Sequence, residues 1–253
     1  MNGHYRYLIA QEFENCVDRT IQRITSAGKS NRPFHSALLS EEVLFWSAFE
    51  RSFSTSFGQR VIEEIAKLVA LSNGARDAER QVETYIEIDS AYEEAIQYHM
   101  RLLRDGANFD YSWNNTLQSI LATHKSGRIS SRRIISDLWW EKDGINNYIS
   151  LKTVMPNIDQ TAVAKEDCLR LSINDRTCNA FFGLPYNPYG EERRLYDFNP
   201  PKRIFDFEKD QVVLIGKELW DTLGGEGCYE ELISIAASVG RETKQKIQRL
   251  SIK

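Results

Sequence analysis

Cysteine is scarce in this chain of 253 residues, and its four copies, Cys16, Cys168, Cys178 and Cys228, are scattered with no Cys-x-x-Cys spacing. That pattern argues against a disulfide framework and a zinc site, and makes a reducing cytoplasm the expected location. No apolar run approaches the ~18 residues of a membrane span, and the N-terminus, Met1-Asn2-Gly3-His4, lacks a secretory pattern. His99 and His124 have no partner at metal-ligand spacing. An excess of positive charge is also missing. The net charge of −4 argues against a general nucleic-acid coat protein, although local patches rather than totals decide contact with phosphates.

What is present is a globular composition, with 42% hydrophobic and 27% charged residues. The length suits one large core, and a single domain over 1–253 is expected. Residues 1–125 read as mainly helical and 126–253 as an α/β core. Apolar positions recur at helical spacing over 5–27, and Ser40-Glu41-Glu42 opens a second helix. A third helix runs from Thr55 or Gly58 to Leu71. Another spans 75–105, carrying Tyr85, Ile88, Tyr92, Ile96, Met100 and Leu103, and a shorter one spans 114–124. Val212 to Ile215 reads as a strand, Phe181-Phe182-Gly183 as the end of another, and 229–240 as a last helix. The expected fold is therefore a mixed central sheet flanked by helices, with an N-terminal helical layer.

The segment 136–155 carries the chemistry. Trp139-Trp140 and Tyr148-Ile149 favour strands, and Asp143-Gly144-Ile145-Asn146-Asn147 between them is turn material. A turn centred between Gly144 and Ile145 sets Asp137 opposite Lys152, where Cβ atoms stand about 4.5–5.5 Å apart. That pair is a plain ion pair or half of a metal-dependent phosphodiesterase site. Such sites need hard oxygen ligands for magnesium and a cation near the scissile phosphate. Asp143 is the rival for the aspartate role, but Asp-Gly at a turn tip is ordinary turn chemistry.

Restriction-type nucleases place a Glu-x-Lys on the second strand, and here Ser150 stands at the glutamate position. On the next helix, Ala162, Val163, Glu166 and Leu169 share one stripe, which strands Glu166 on an apolar face where a lone carboxylate is costly. Thirteen residues separate Lys152 from Glu166. This resembles the subgroup of restriction nucleases that uses Ser-x-Lys and moves the glutamate to the following helix. Asp167 is a more exposed alternative, and Glu64, nearer the apolar face than Glu63, is a further candidate ligand or a member of an exposed salt bridge.

The wider chain resembles the TdeIII-like family of type II restriction endonucleases. The resemblance rests on Arg51 to Gly58 followed by Glu63-Glu64, on Lys152-Thr153-Val154-Met155-Pro156-Asn157, on Tyr186 to Gly190 and on Leu219 to Tyr229. It implies a restriction-endonuclease-like core and a homodimer cutting duplex DNA at short (pseudo)palindromic, GGNCC-like sites with Mg2+. A cognate DNA methyltransferase is then expected as a genetic neighbour. Asp137, Glu166, Lys152 and Ser150 become the candidate catalytic set, with Asp137 and Glu166 as metal ligands. For DNA contact the candidates are Arg128, Arg132 and Arg133 just before the site strand, Gln160 beside it, and Asn187, Arg193 and Arg194 in a downstream loop. Asn157 and Asp159 are expected to cap the helix. The rival readings are a repair or structure-specific nuclease of the same superfamily, and a DNA-binding protein that has lost catalysis.

Overall fold

Two long strands and a tight turn organise the protein. In a computed structural model describing residues 1–26, 31–106 and 111–250, apart from the Gln59 side chain, β1 (Asp77–Asp89) and β2 (Ile129–Lys142) form an antiparallel ribbon. The hairpin partner β3 (Ile145–Leu151) follows, then β4 (Asn179–Leu184) and β5 (Val213–Ile215), both in parallel pairing, in the sheet order β1-β2-β3-β4-β5. This is the mixed, helix-flanked sheet expected from the sequence.

Before β1 come helices α1 (Gly3–Ser26), α2 (Pro33–Leu38), α3 (Glu41–Ser56) and α4 (Ile62–Ser72), with a π-helical turn at Phe57–Val61 joining the last two. The expected end of the first helix at residue 27 lies outside the described residues. Helices α5 (Ser90–Arg104) and α6 (Trp113–Leu121) separate β1 from β2, and α7 (Ile158–Asn174) separates β3 from β4. The short α8 (Asn199–Lys202) precedes β5, and α9 (Lys217–Gly224) and α10 (Cys228–Gln248) close the chain.

The sheet is packed on both faces. One core joins Ile9, Ile65, Val69, Leu138, Trp140, Ile149, Leu219 and Leu232; the other joins Ile86, Ile96, Met100, Leu169, Phe182, Phe205 and Val213. Neighbouring residues of β3 and β4 go to opposite sides, as the period of two requires: Ile149 and Phe181 to the first core, Tyr148 and Phe182 to the second. Trp140 stacks on Phe181 at 6.1 Å, and Trp220 donates its indole N–H to the Pro185 carbonyl, so both are core residues.

Two expectations are corrected. The helix expected over 75–105 is β1 followed by α5, with Asp89 accepting from the Ala91 amide as the N-cap. Val82, Thr84, Ile86 and Ile88 alternate with Glu83, Tyr85 and Glu87, a period of two that the helical steps of the following residues masked. The hairpin also turns one residue earlier than expected. Lys142 pairs with Ile145 across Asp143 and Gly144, both at positive φ (55° and 75°), the geometry of a two-residue primed turn. Asp137 therefore lies opposite Ser150, and Lys152 one diagonal step beyond. A two-residue change of register preserves the face, so Asp137 and Lys152 still meet.

Candidate active site

Four elements converge on Asp137. Lys152, just past β3, donates from Nζ to Asp137 Oδ2 at 2.8 Å and to the Leu151 carbonyl at 3.2 Å. Ser150 Oγ reaches the same carboxylate oxygen at 3.4 Å. The other oxygen, Oδ1, accepts from Gln81 Nε2 at 3.2 Å, and the same amide nitrogen donates to Glu63 Oε1 at 3.1 Å. The side chains of Asp137 and Lys152 are 17% and 23% exposed, so the pair is partly desolvated yet open to a ligand.

Glu63 is the α4 carboxylate joined to this group, and not Glu64, the other candidate. It precedes Ala66 and Ala70 by one and two turns, and these small buried residues belong to the face α4 turns inward. Glu64 pairs with Arg80 Nε at 2.8 Å, and Arg80 Nη1 also stands 4.0 Å from Glu63 Oε2. Burial pushes the Glu63 carboxyl above its usual range; the hydrogen bond from Gln81 opposes that, and the negative charge of Asp137 adds to it. The π turn ahead of α4 lies against the loop after Lys152, where a Cβ on Gly58 would stand 3.8 Å from Thr153 Cγ2. The sequence signal for Glu63 was the pair of alanines; the fit to Val61, Ile65 and Leu68 concealed it.

Glu166 stands in a different network. Arg170 Nη2 donates to its Oε2 at 3.1 Å, Gln97 Nε2 reaches the same oxygen at 3.1 Å, and Arg104 approaches Oε1 at 3.6 Å. Arg170 also holds Glu93 through two bonds of 3.0 and 2.9 Å and Asp167 at 3.0 Å. The apolar-face carboxylate expected from periodicity is thus buried as inferred, with arginine as its partner. Asp167 is the α7 carboxylate whose surroundings include Lys152; burial raises its carboxyl above the usual range and Arg170, then Lys152, oppose this.

The candidate DNA contacts divide in two. Arg128, Arg132 and Arg133 are exposed on β2 and its approach, in loose pairs with Glu94, Glu93 and Glu83 at 3.8, 3.5 and 3.6 Å. Arg194 is exposed and pairs with Glu192. The others are occupied by local structure. Gln160 and Asn157 form a reciprocal capping box at the start of α7. Asn187 accepts from the Tyr189 amide and donates to the Glu192 carbonyl. Arg193 binds Glu218 and the carbonyls of Phe207, Asp210 and Val213.

A model of the HinfI family, described as type II restriction endonuclease, HinfI, matches residues 1–240. The chain belongs to that family. The chain is also similar to three curated proteins of Herpetosiphon aurantiacus. It is 29% identical to type II restriction enzyme HgiEI over 93% of this chain and 86% of that protein. It is 27% identical to HgiCII over 94% and 88%, and 29% identical to HgiBI over 83% and 77%. No solved structure matches the chain. The resemblance to TdeIII-like enzymes is thereby supported at the level of type II restriction endonucleases, with HinfI as the family matched.

The donor set fits a hard divalent cation. Among the described residues no group of three or more His, Cys, Asp or Glu is arranged to hold a metal. Magnesium does not need one, because it keeps several waters and commonly takes only one or two carboxylates, with phosphate oxygens of the substrate. Asp137 and Glu63, tied to one amide, are such a pair.

Proposed function

We propose that this HinfI-family chain hydrolyses phosphodiester bonds of duplex DNA at a short (pseudo)palindromic site, with Asp137 and Glu63 as the Mg2+ ligands and Lys152 as the catalytic cation. The observation that carries the reading is the 2.8 Å contact between Lys152 Nζ and Asp137, beside a second carboxylate, in a restriction endonuclease chain. When bound, the divalent ion supplies Lewis-acid polarisation of the phosphate oxygens and a more acidic water.

The protein groups do the rest. Asp137 and the Leu151 carbonyl orient the Lys152 ammonium, whose remaining proton points to a hydrogen bond with the attacking water or a phosphate oxygen. Water oxygen adds to phosphorus as it gives up a proton to solvent, the bond from phosphorus to the leaving oxygen breaks, and that oxygen takes up a proton from solvent. Ser150 adds a donor to the same aspartate, a positioning role. Arg128, Arg132, Arg133 and Arg194 contact backbone phosphates. The working unit is a homodimer in the cytoplasm, because one chain carries one such site and a two-fold DNA site has two strands to cut. A cognate methyltransferase protects the host DNA without forming a stable complex.

Digestion of plasmid DNA with Mg2+, followed by sequencing of the fragment ends, tests the reading, and GGNCC is the first sequence to look for. Lys152→Ala is expected to lower cleavage at least 10^2-fold, on the order of losing one preorganised charge, with DNA binding retained. Glu63→Gln is expected to do the same, whereas Glu166→Gln leaves cleavage within a few-fold of wild type. A Glu166→Gln chain that is well folded and inert, beside an active Glu63→Gln chain, would return the second ligand to α7.

A further inference from the structure

Gln81 sits in the middle of β1 with φ of 54°, a backbone conformation that L side chains rarely adopt and glycine adopts freely. The ladder continues on both sides of it, Arg80 pairing with Leu138 and Val82 with Ser136, so Gln81 faces Asp137 across the ribbon. The two strands also change cores at this point. Ala78, Leu138 and Trp140 pack into the first core, while Ile86, Ile88 and Ile134, which have the same parity, pack into the second. A crease in the ribbon explains a left-handed residue here. It does not explain why that residue is glutamine, since glycine would make the crease at no steric cost.

The side chain supplies the missing reason. An amide NH2 carries two hydrogens, and here its nitrogen has two acceptors, Glu63 Oε1 at 3.1 Å and Asp137 Oδ1 at 3.2 Å. Two carboxylates brought together repel, and a neutral double donor holds both without neutralising either. An arginine or lysine in its place would compete with a cation for the same oxygens. Resting on the Mg2+ reading of the site, we propose that Gln81 is a positioning residue that presets Asp137 and Glu63 for a divalent cation before the cation arrives, and that its strained backbone is retained to aim that amide.

The test uses the full chain and two variants. Gln81→Gly keeps the left-handed backbone and removes the amide; Gln81→Asn keeps an amide one methylene short, on a residue that tolerates this backbone. Each is compared with wild type by thermal melting, by calorimetric titration with Ca2+, and by the Mg2+ concentration that gives half-maximal cleavage. Both variants are expected to melt close to wild type, to bind Ca2+ about tenfold more weakly, a shift of about 1.4 kcal/mol, and to need correspondingly more Mg2+. Their rate at saturating Mg2+ should return to within a few-fold of wild type. A folded variant with wild-type Ca2+ affinity and Mg2+ requirement overturns the proposal. A wild-type chain that cleaves with no divalent cation overturns the metal reading beneath it, and a lower melting point with unchanged cation affinity reduces Gln81 to a structural residue.

Discussion

Asp89 shows how much one carboxylate can organise. Its Oδ1 accepts from the Ala91 amide, the Ser126 amide and the Ser126 hydroxyl at 2.9, 2.9 and 2.8 Å, and its Oδ2 accepts from the Gly127 amide at 2.8 Å. It thereby caps α5 and ties down the loop that enters β2. These bonds, led by the one from the Ser126 amide, hold its carboxyl well below the usual range. A depressed carboxylate stabilises the fold above its unfolded pKa of about 3.9 and loses that contribution as pH falls toward the folded value. Asp89→Asn is therefore expected to melt below wild type at pH 7, with the gap narrowing as pH drops beneath ~3.9. A gap that stays constant between pH 7 and pH 3 would contradict it. At this scale the meeting of Asp137 and Lys152 was legible, because hairpin residues and the identity of both strands lay in one short segment. Glu63 was not, since a one-residue choice on an amphipathic helix depends on which edge of its apolar face meets the sheet.

Among the elements, α7 was readable in nearly every respect except its partner. Of the expected stripe, Ala162, Glu166 and Leu169 are buried while Val163 faces solvent, and the Asn157 cap is present. Sequence periodicity reports that a carboxylate is buried, but it is silent on whether a metal or an arginine compensates it. The arginine lies one turn further on the same helix, and it also holds Glu93 of α5. Removing it leaves Glu93 and Glu166 buried, at 7% exposure each, without their shared cation. Arg170→Ala should cost about 3–5 kcal/mol, measured by urea denaturation, and a loss under ~1 kcal/mol, the value of an exposed pair, would show the network to be solvent-screened. β1 was misread for a related reason: its exposed face carries Glu79, Gln81, Glu83 and Glu87, good helix formers, and pairing with β2 outweighs that local preference.

Over the whole molecule, the helical layer and the mixed sheet agree with the sequence pattern, but the division at residue 125 does not mark a structural break, because β1 joins the sheet from the first half. What no local pattern revealed is that α2 and α3 contribute no buried residue. Phe34 and Leu38 are 81% and 82% exposed, with Leu39 and Val43 beside them. Paired with the proposal of a homodimer, this face is the expected seat of a second copy. Phe34→Asp combined with Leu38→Asp should convert a dimer to a monomer in sedimentation while the melting point of the chain hardly moves; a double variant that still sediments as a dimer would place the contact elsewhere.

The two-residue turn at Asp143-Gly144 leaves no slack between the strands that carry Asp137 and Lys152. This bears on how such a chain can change over generations. Deleting or inserting one residue in β3 would send the Lys152 ammonium through to the opposite side of the sheet, while a change of two would only slide it along the same side. The length of this hairpin can therefore change only in even steps if Lys152 is to stay beside Asp137.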